Sequence, residues 1–192
     1  MRMAEIKRQT KETDIEIKLI IDGEGKADVS TGIGFLDHML ITLARFSLID
    51  IVIKAKGDLY VDQHHLVEDI GICLGQALDK ALGGKEGIRR FGFAIAPMDE
   101  ALVLSSLDIS GRGGFWKDFS LKKTKLGGFE TETVEELFRQ LAFHAKITLH
   151  LRLLSGDNLH HIIEAMFKSF ALALREAVKI EGQDIPSTKG MI

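Results

Sequence analysis

The chain has 192 residues, 45% of them apolar, enough for a full core in one large domain or two fused small ones. A net charge of −3, with acids and bases interspersed, argues against a nucleic-acid or membrane surface as the main partner and leaves room only for a local phosphate-binding patch. The single cysteine, Cys73, excludes an internal disulfide and any Cys-x-x-Cys site, and is expected to be a small core residue.

Elements follow from periodicity and punctuation. Residues 4–9 can form a first strand. Ile15, Ile17, Leu19 and Ile21 alternate with Asp14, Glu16, Lys18 and Ile20, which is strand period with one apolar face. Asp22-Gly23 turns the chain, and Lys26 to Ser30 reads as a third strand. After Gly32-Ile33-Gly34, residues Phe35 to Phe46 read as a helix, then Ile51, Ile53 and Ala55 mark a fourth strand. Gly57-Asp58 turns into a long helix, His65 to Leu82, which ends at Gly83-Gly84. The order then repeats. Phe91 to Met98, Ala101 to Asp108 and Phe115 to Leu121 read as strands. Glu132 to Ala145 reads as a helix, Ile147 to Leu154 as a strand and His161 to Ile180 as a last helix. The expected fold is therefore α+β, made of two duplicated β-β-β-α-β-α halves. Each half is a mainly antiparallel four-stranded sheet with two helices on one face. The halves are expected at 1–86 and 87–192, packed as one unit, with a polar tail over 183–192. No apolar run approaches the ~18 residues of a spanning helix, and the N-terminus carries no long apolar segment; a cytoplasmic location is the expectation.

The duplication is sharpest at two stretches that both read His-His-x-x-Glu: His64-His65 with Glu68, and His160-His161 with Glu164, 96 residues apart. In a helix, positions i and i+4 share a face, so His64 points with Glu68 and His160 with Glu164. His65 and His161 point elsewhere, which suits ligands to two different ions. The earlier helices add His38 and, at the corresponding place, Glu136. Eight candidate ligands result: His38, His64, His65, Glu68, Glu136, His160, His161 and Glu164, four per ion. Imidazole and carboxylate without thiolate suit manganese, iron, zinc, cobalt or nickel, and four protein ligands leave positions open on a six-coordinate catalytic Mn²⁺. A single copy of the motif reads more readily as a capped helix start whose glutamate meets the helix dipole; the in-register second copy favours metal. His150 alternates with strand residues and His144 ends a helix where the dipole favours a cation, so both are expected to be structural.

Phosphate candidates are Arg90, Arg112 between two glycines, Lys168 at i+4 from Glu164, and the tail residues Ser187, Thr188 and Lys189. They offer bidentate donors, point charge and close backbone approach.

The chain resembles the imidazoleglycerol-phosphate dehydratase family. Seven segments carry the resemblance: Thr10 to Thr13, Gly32 to Leu40, His64 to Asp69, Pro97 to Ala101, Leu107 to Arg112, His160 to Ala165 and Pro186 to Gly190. They span nearly the whole chain in the family's order. The resemblance implies a lyase of histidine biosynthesis that dehydrates D-erythro-imidazole-glycerol phosphate to imidazole-acetol phosphate. It also implies two Mn²⁺ per active site and a cage of two dozen chains with shared sites. Carried over by position, His38, His64, His65, Glu68, His160, His161 and Glu164 are metal ligands, and His38, His64, Glu68 and His160 also border the substrate. Arg90, Arg112, Lys168, Ser187, Thr188 and Lys189 hold the phosphate end, and Glu12 meets the glycerol hydroxyls. Glu136 stands where the family often has histidine, so a ligand role and a supporting role both stay open. Chemically, the C–H bond to be broken has no neighbouring carbonyl. The imidazole must accept the electrons, through a metal-bound imidazolate and a diazafulvene-like intermediate. Glu12, Glu68 and Glu164 are the candidate proton carriers, and sequence does not choose among them. The competing readings are a two-metal phosphohydrolase, which would release phosphate, and a non-catalytic metal-holding cage.

Overall fold

The computed structural model describes residues 1–192. The first half runs β1 (Met3–Gln9), β2 (Thr13–Ile20), β3 (Ala27–Ser30), α1 (Gly34–Ser47), β4 (Asp50–Gly57) and α2 (His64–Leu82). The second runs β5 (Phe91–Met98), β6 (Ala101–Asp108), β7 (Gly114–Asp118), β8 (Lys125–Leu126), β9 (Phe129–Glu130), α3 (Thr133–His144), β10 (Thr148–Ser155) and α4 (Leu159–Ala177).

Alternation sets the first sheet. Along β2, Thr13, Ile15, Ile17 and Leu19 are buried while Asp14, Glu16 and Lys18 face outward, so one face has to be covered. The strand order is β1-β2-β4-β3, antiparallel except where β3 runs parallel to β4. The second sheet has the same plan, β5-β6-β10-β7, again with the last pair parallel. Helices cover one face of each sheet: α2 lies on β1 and β2, and α4 lies on β5 and β6.

The helices then join the halves. The main helix–helix contacts are α2 with α3 and α1 with α4, each pair drawn from both halves. All the buried apolar residues but Ala96 form one cluster of 51, so the halves share a core rather than owning one each. Gly71 and Gly75 let α2 approach α3 closely: a Cβ at Gly75 would lie 2.6 Å from the Leu141 carbonyl oxygen. The duplication also shows in the backbone. Leu48 and Lys146, just after α1 and α3, both take left-handed φ, 60° and 55°.

Three details differ from expectation. The last helix, expected to reach Ile180, ends at Ala177, and Ile180 instead bridges to Ile88. The strand expected to reach Leu121 ends at Asp118, where pairing with β10 stops. The short hairpin β8–β9 turns at Gly127-Gly128, both at positive φ; its two-residue strands are too short to show alternation. Cys73 is fully buried, and burial pushes its thiol up to about 11. No helix is long and apolar enough to cross a membrane.

Candidate metal centre

Both His-His helices begin in the same way. Asp62 Oδ1 accepts from the His64 backbone N–H at 2.7 Å. Asn158, 96 residues later, accepts from the N–H groups of His160 and His161 at 2.9 and 3.4 Å. These side chains satisfy one backbone donor at the first helix start and two at the second, without help from the imidazoles, which stay available for other contacts.

One ligand cluster spans the α1–α4 contact. His38 comes from α1, and His160 and Glu164 come from α4; one ligand atom from each lies within 4.8 Å of the others. Glu164 Oε2 is 3.3 Å from His160 Nε2 and 3.6 Å from His38 Nε2, while Lys168 Nζ sits 2.7 Å from Oε1. Burial raises the Glu164 carboxyl, but Lys168, His38 and His160 more than offset it and hold it below the ordinary range. Phe35 packs edge-on against His160, with centroids 5.1 Å apart.

The corresponding place on the α2–α3 contact holds Glu68 and Glu136. Gln140 bridges them: its Nε2 donates to Glu68 Oε1 at 3.1 Å and to Glu136 Oε1 at 2.7 Å. His64, one turn before Glu68, is exposed and belongs to no three-ligand group in the single chain.

The second histidine of each motif turns away from these clusters and meets a carboxylate through Nδ1. His65 Nδ1 is 3.0 Å from Asp58 Oδ2 and 3.8 Å from Glu12 Oε2. His161 Nδ1 is 2.8 Å from Glu100 Oε2, and its Nε2 lies 3.7 Å from Asp99 Oδ2. The hydrogen bonds to Asp58 and Glu100 raise both imidazoles above the usual range. His161 and nearby backbone N–H groups draw Glu100 down to about 2. The eight candidate ligands are thus distributed over two cross-half clusters, His64, and two carboxylate-held histidines.

The phosphate candidates gather elsewhere. Arg90 Nε donates to Asp108 Oδ1 at 2.6 Å, and its Nη1 donates to the Pro186 carbonyl at 2.8 Å, which fastens the tail containing Ser187, Thr188 and Lys189. Ile192 packs over Gly111, beside exposed Arg112. The Arg90 N–H donates to the Ala177 carbonyl, at the C-terminal end of α4, whereas His160 stands at that helix's start. Seventeen residues of helix separate these two points, about 25 Å at 1.5 Å per residue. Lys168 stays with Glu164 and does not join the arginine group.

Two further placements matter. His150 stacks on Trp116 at 5.2 Å, a surface packing role. His144, expected to be structural, is part-buried; burial, with Arg8 adding to it, lowers its pKa. Asp58, Glu100 and Gln140 were not singled out as site residues from sequence. Asp58 reads as half of a Gly-Asp turn, and Glu100 appears only inside the Pro97–Ala101 segment.

A family profile described as imidazoleglycerol-phosphate dehydratase matches residues 31–174, three quarters of the chain. The chain belongs to the imidazoleglycerol-phosphate dehydratase family. Among relatives, the imidazoleglycerol-phosphate dehydratase of Acetivibrio thermocellus is 56% identical over 195 residues, covering 100% of this chain and 99% of that protein. That of Caldanaerobacter subterraneus subsp. tengcongensis is 56% identical over 194 residues, covering 100% of both. Solved structures agree. The imidazoleglycerol-phosphate dehydratase of Staphylococcus aureus superposes with a TM-score of 0.84 at 39% identity, covering 93% of this chain and 99% of that one. The Pyrococcus furiosus enzyme in complex with (S)-C348 gives 0.84 at 43% identity, covering 97% and 100%.

Proposed function

We propose that the cross-half clusters hold divalent metal in an active site shared between chains, where the dehydration that defines the family takes place. The chain is a hydro-lyase of histidine biosynthesis that acts on imidazole-glycerol phosphate. The observation that carries the metal reading is the meeting of His38, His160 and Glu164 across the two halves. Two imidazoles and a carboxylate held ionised, without thiolate, fit a hard to borderline divalent ion such as Mn²⁺. Glu68 and Glu136, joined through Gln140 on α2 and α3, offer a more carboxylate-rich place for a second ion, with His64 one helical turn before Glu68. Glu136 is read here as a ligand.

Bound divalent ions would supply Lewis acidity to the substrate's imidazole ring. The chain's own residues do the rest. Glu164 is kept ionised by Lys168, and Glu68 is oriented by Gln140, so both are committed to holding the site. Glu12 is half-exposed in the β1–β2 turn and 3.8 Å from His65. Of the three candidate carboxylates it is the one free to meet the glycerol hydroxyls and move a proton. Arg90, Arg112, Ser187, Thr188 and Lys189 hold the phosphate and orient the side chain for elimination.

The ~25 Å along α4 between His160 and the arginine group exceeds the reach of one small substrate. Metal cluster and phosphate group in one site therefore come from different copies, in keeping with a cage of two dozen chains. The outward face of the second sheet presents Phe91, Phe93, Ile95 and Trp116, each at least half exposed. The corresponding face of the first sheet carries Glu5, Lys7, Glu16, Lys18, Lys54 and Lys56. Self-association through the apolar sheet fits this contrast. A cytoplasmic location, with no nucleic-acid or membrane partner, goes with this reading.

The test is protein stripped of metal and reloaded with Mn²⁺, given imidazole-glycerol phosphate, with ketone and free phosphate both followed. Mn²⁺-dependent ketone with phosphate retained is expected. Free phosphate without ketone would move the chain to the hydrolase reading.

A further inference from the structure

His65 and His161 occupy equivalent places in the two halves, yet the carboxylates that hold them are not equivalent. Asp58 lies between β4 and α2; Glu100 lies in the β5–β6 turn. The topological counterpart of Glu100 is Glu12, in the β1–β2 turn. In the second half the hairpin carboxylate makes the 2.8 Å bond to histidine itself. In the first half Asp58 makes it at 3.0 Å, and Glu12 stands off at 3.8 Å with a side chain 55% exposed. Inheritance by duplication does not explain the same bond arising from two different loops.

Asp58 is also hard to explain as structure alone. Its side chain is 12% exposed, its Oδ1 is buried without a hydrogen-bond partner, and His65 is its one side-chain partner. A buried carboxylate with one unsatisfied oxygen is costly unless its partner gains something. An ionised carboxylate only accepts, so Nδ1 carries the proton, and in the neutral imidazole that binds a metal the Nε2 lone pair is the one left to offer. Imidazoles that ligate metal typically donate their other N–H to a carboxylate, which fixes tautomer and ring orientation.

We propose that Asp58 and Glu100 are positioning residues that aim the Nε2 lone pairs of His65 and His161 at divalent ions, and that Asp58, by taking this task in the first half, releases Glu12 for substrate. The inference rests on the reading of both histidines as metal ligands. It breaks the symmetry of the duplication: the two hairpin carboxylates have diverged, one hydrogen-bonded to histidine and one standing 3.8 Å off it.

The test is titration of metal-stripped protein with Mn²⁺, reading free ion by solution EPR, for wild type, Asp58→Asn, Glu100→Gln, Glu12→Gln, His65→Ala and the Asp58→Asn/His65→Ala double variant. Asp58→Asn and Glu100→Gln are each expected to weaken one ion about 10–100-fold. Glu12→Gln should keep wild-type Mn²⁺ affinity and lose ketone formation. Since Asp58 acts through His65, Asp58→Asn should add little to His65→Ala. Wild-type Mn²⁺ affinity in both positioning variants would overturn the proposal, as would full additivity with His65→Ala or a Glu12→Gln loss equal to that of Asp58→Asn. If Asp58→Asn does not fold, as judged by thermal unfolding in EDTA, Glu100→Gln with and without His161→Ala decides in the same way. Turnover separates the two readings. Weakened Mn²⁺ binding in Asp58→Asn and Glu100→Gln, with a wild type that makes no ketone, keeps the positioning role and removes the dehydratase. Ketone formation with unweakened binding does the reverse.

Discussion

Gln140 has one amide nitrogen between two carboxylates from different helices, 3.1 Å from Glu68 and 2.7 Å from Glu136. Each of its two hydrogens serves one oxygen, and without them two like charges face each other across the α2–α3 seam. A cation bound there would do the same work more strongly. Gln140→Ala is therefore expected to destabilise the metal-free protein by about 1–2 kcal/mol, the worth of a charge-assisted bond discounted for partial exposure. Added Mn²⁺ should raise its melting temperature more than it raises that of wild type, because binding relieves the repulsion. Thermal unfolding in EDTA and in Mn²⁺ checks both parts; an unchanged melting temperature in EDTA would contradict the account of Gln140.

At the scale of elements, the α2–α3 contact depends on glycine. A Cβ at Gly75 would meet the Leu141 carbonyl oxygen at 2.6 Å and the Ala145 nitrogen at 2.8 Å, and backbone cannot step aside cheaply. Gly75→Val should force the helices apart at a cost of about 1–3 kcal/mol, and should weaken Mn²⁺ binding at Glu68 and Glu136 while sparing the α1–α4 cluster. Metal titration alongside thermal unfolding tests this; equal loss at both clusters would contradict it. Most of the elements were legible because alternation and helical period are local. Phe91–Met98 and Ala101–Asp108 match their expected limits. The duplicated His-His-x-x-Glu at one spacing pointed to metal. Partnership between helices was not legible. Periodicity reports which face of a helix is apolar, not that His38 meets Glu164 from the other half or that Glu136 meets Glu68. Asp58 was hidden for a related reason: a turn residue and a histidine clamp look alike until the loop is folded back on the helix.

At the scale of the whole molecule, α4 acts as a spacer. Its start carries His160 and Glu164, and its end anchors Arg90 and, through Pro186, the tail. On the proposed reading, a chain built this way holds two parts of an active site and needs a second copy to bring them together. The account then predicts complementation. On the same proposed reading, His160→Ala removes a metal ligand and Lys189→Ala removes a phosphate contact, so each alone should form little ketone. Chains of the two variants, mixed, dissociated and reassembled in Mn²⁺, should regain ketone formation approaching roughly a quarter of wild type, the share of random two-chain sites with both parts intact. Ketone formation no greater than the average of the separate variants would mean that each site lies within one chain, and would contradict the shared centre.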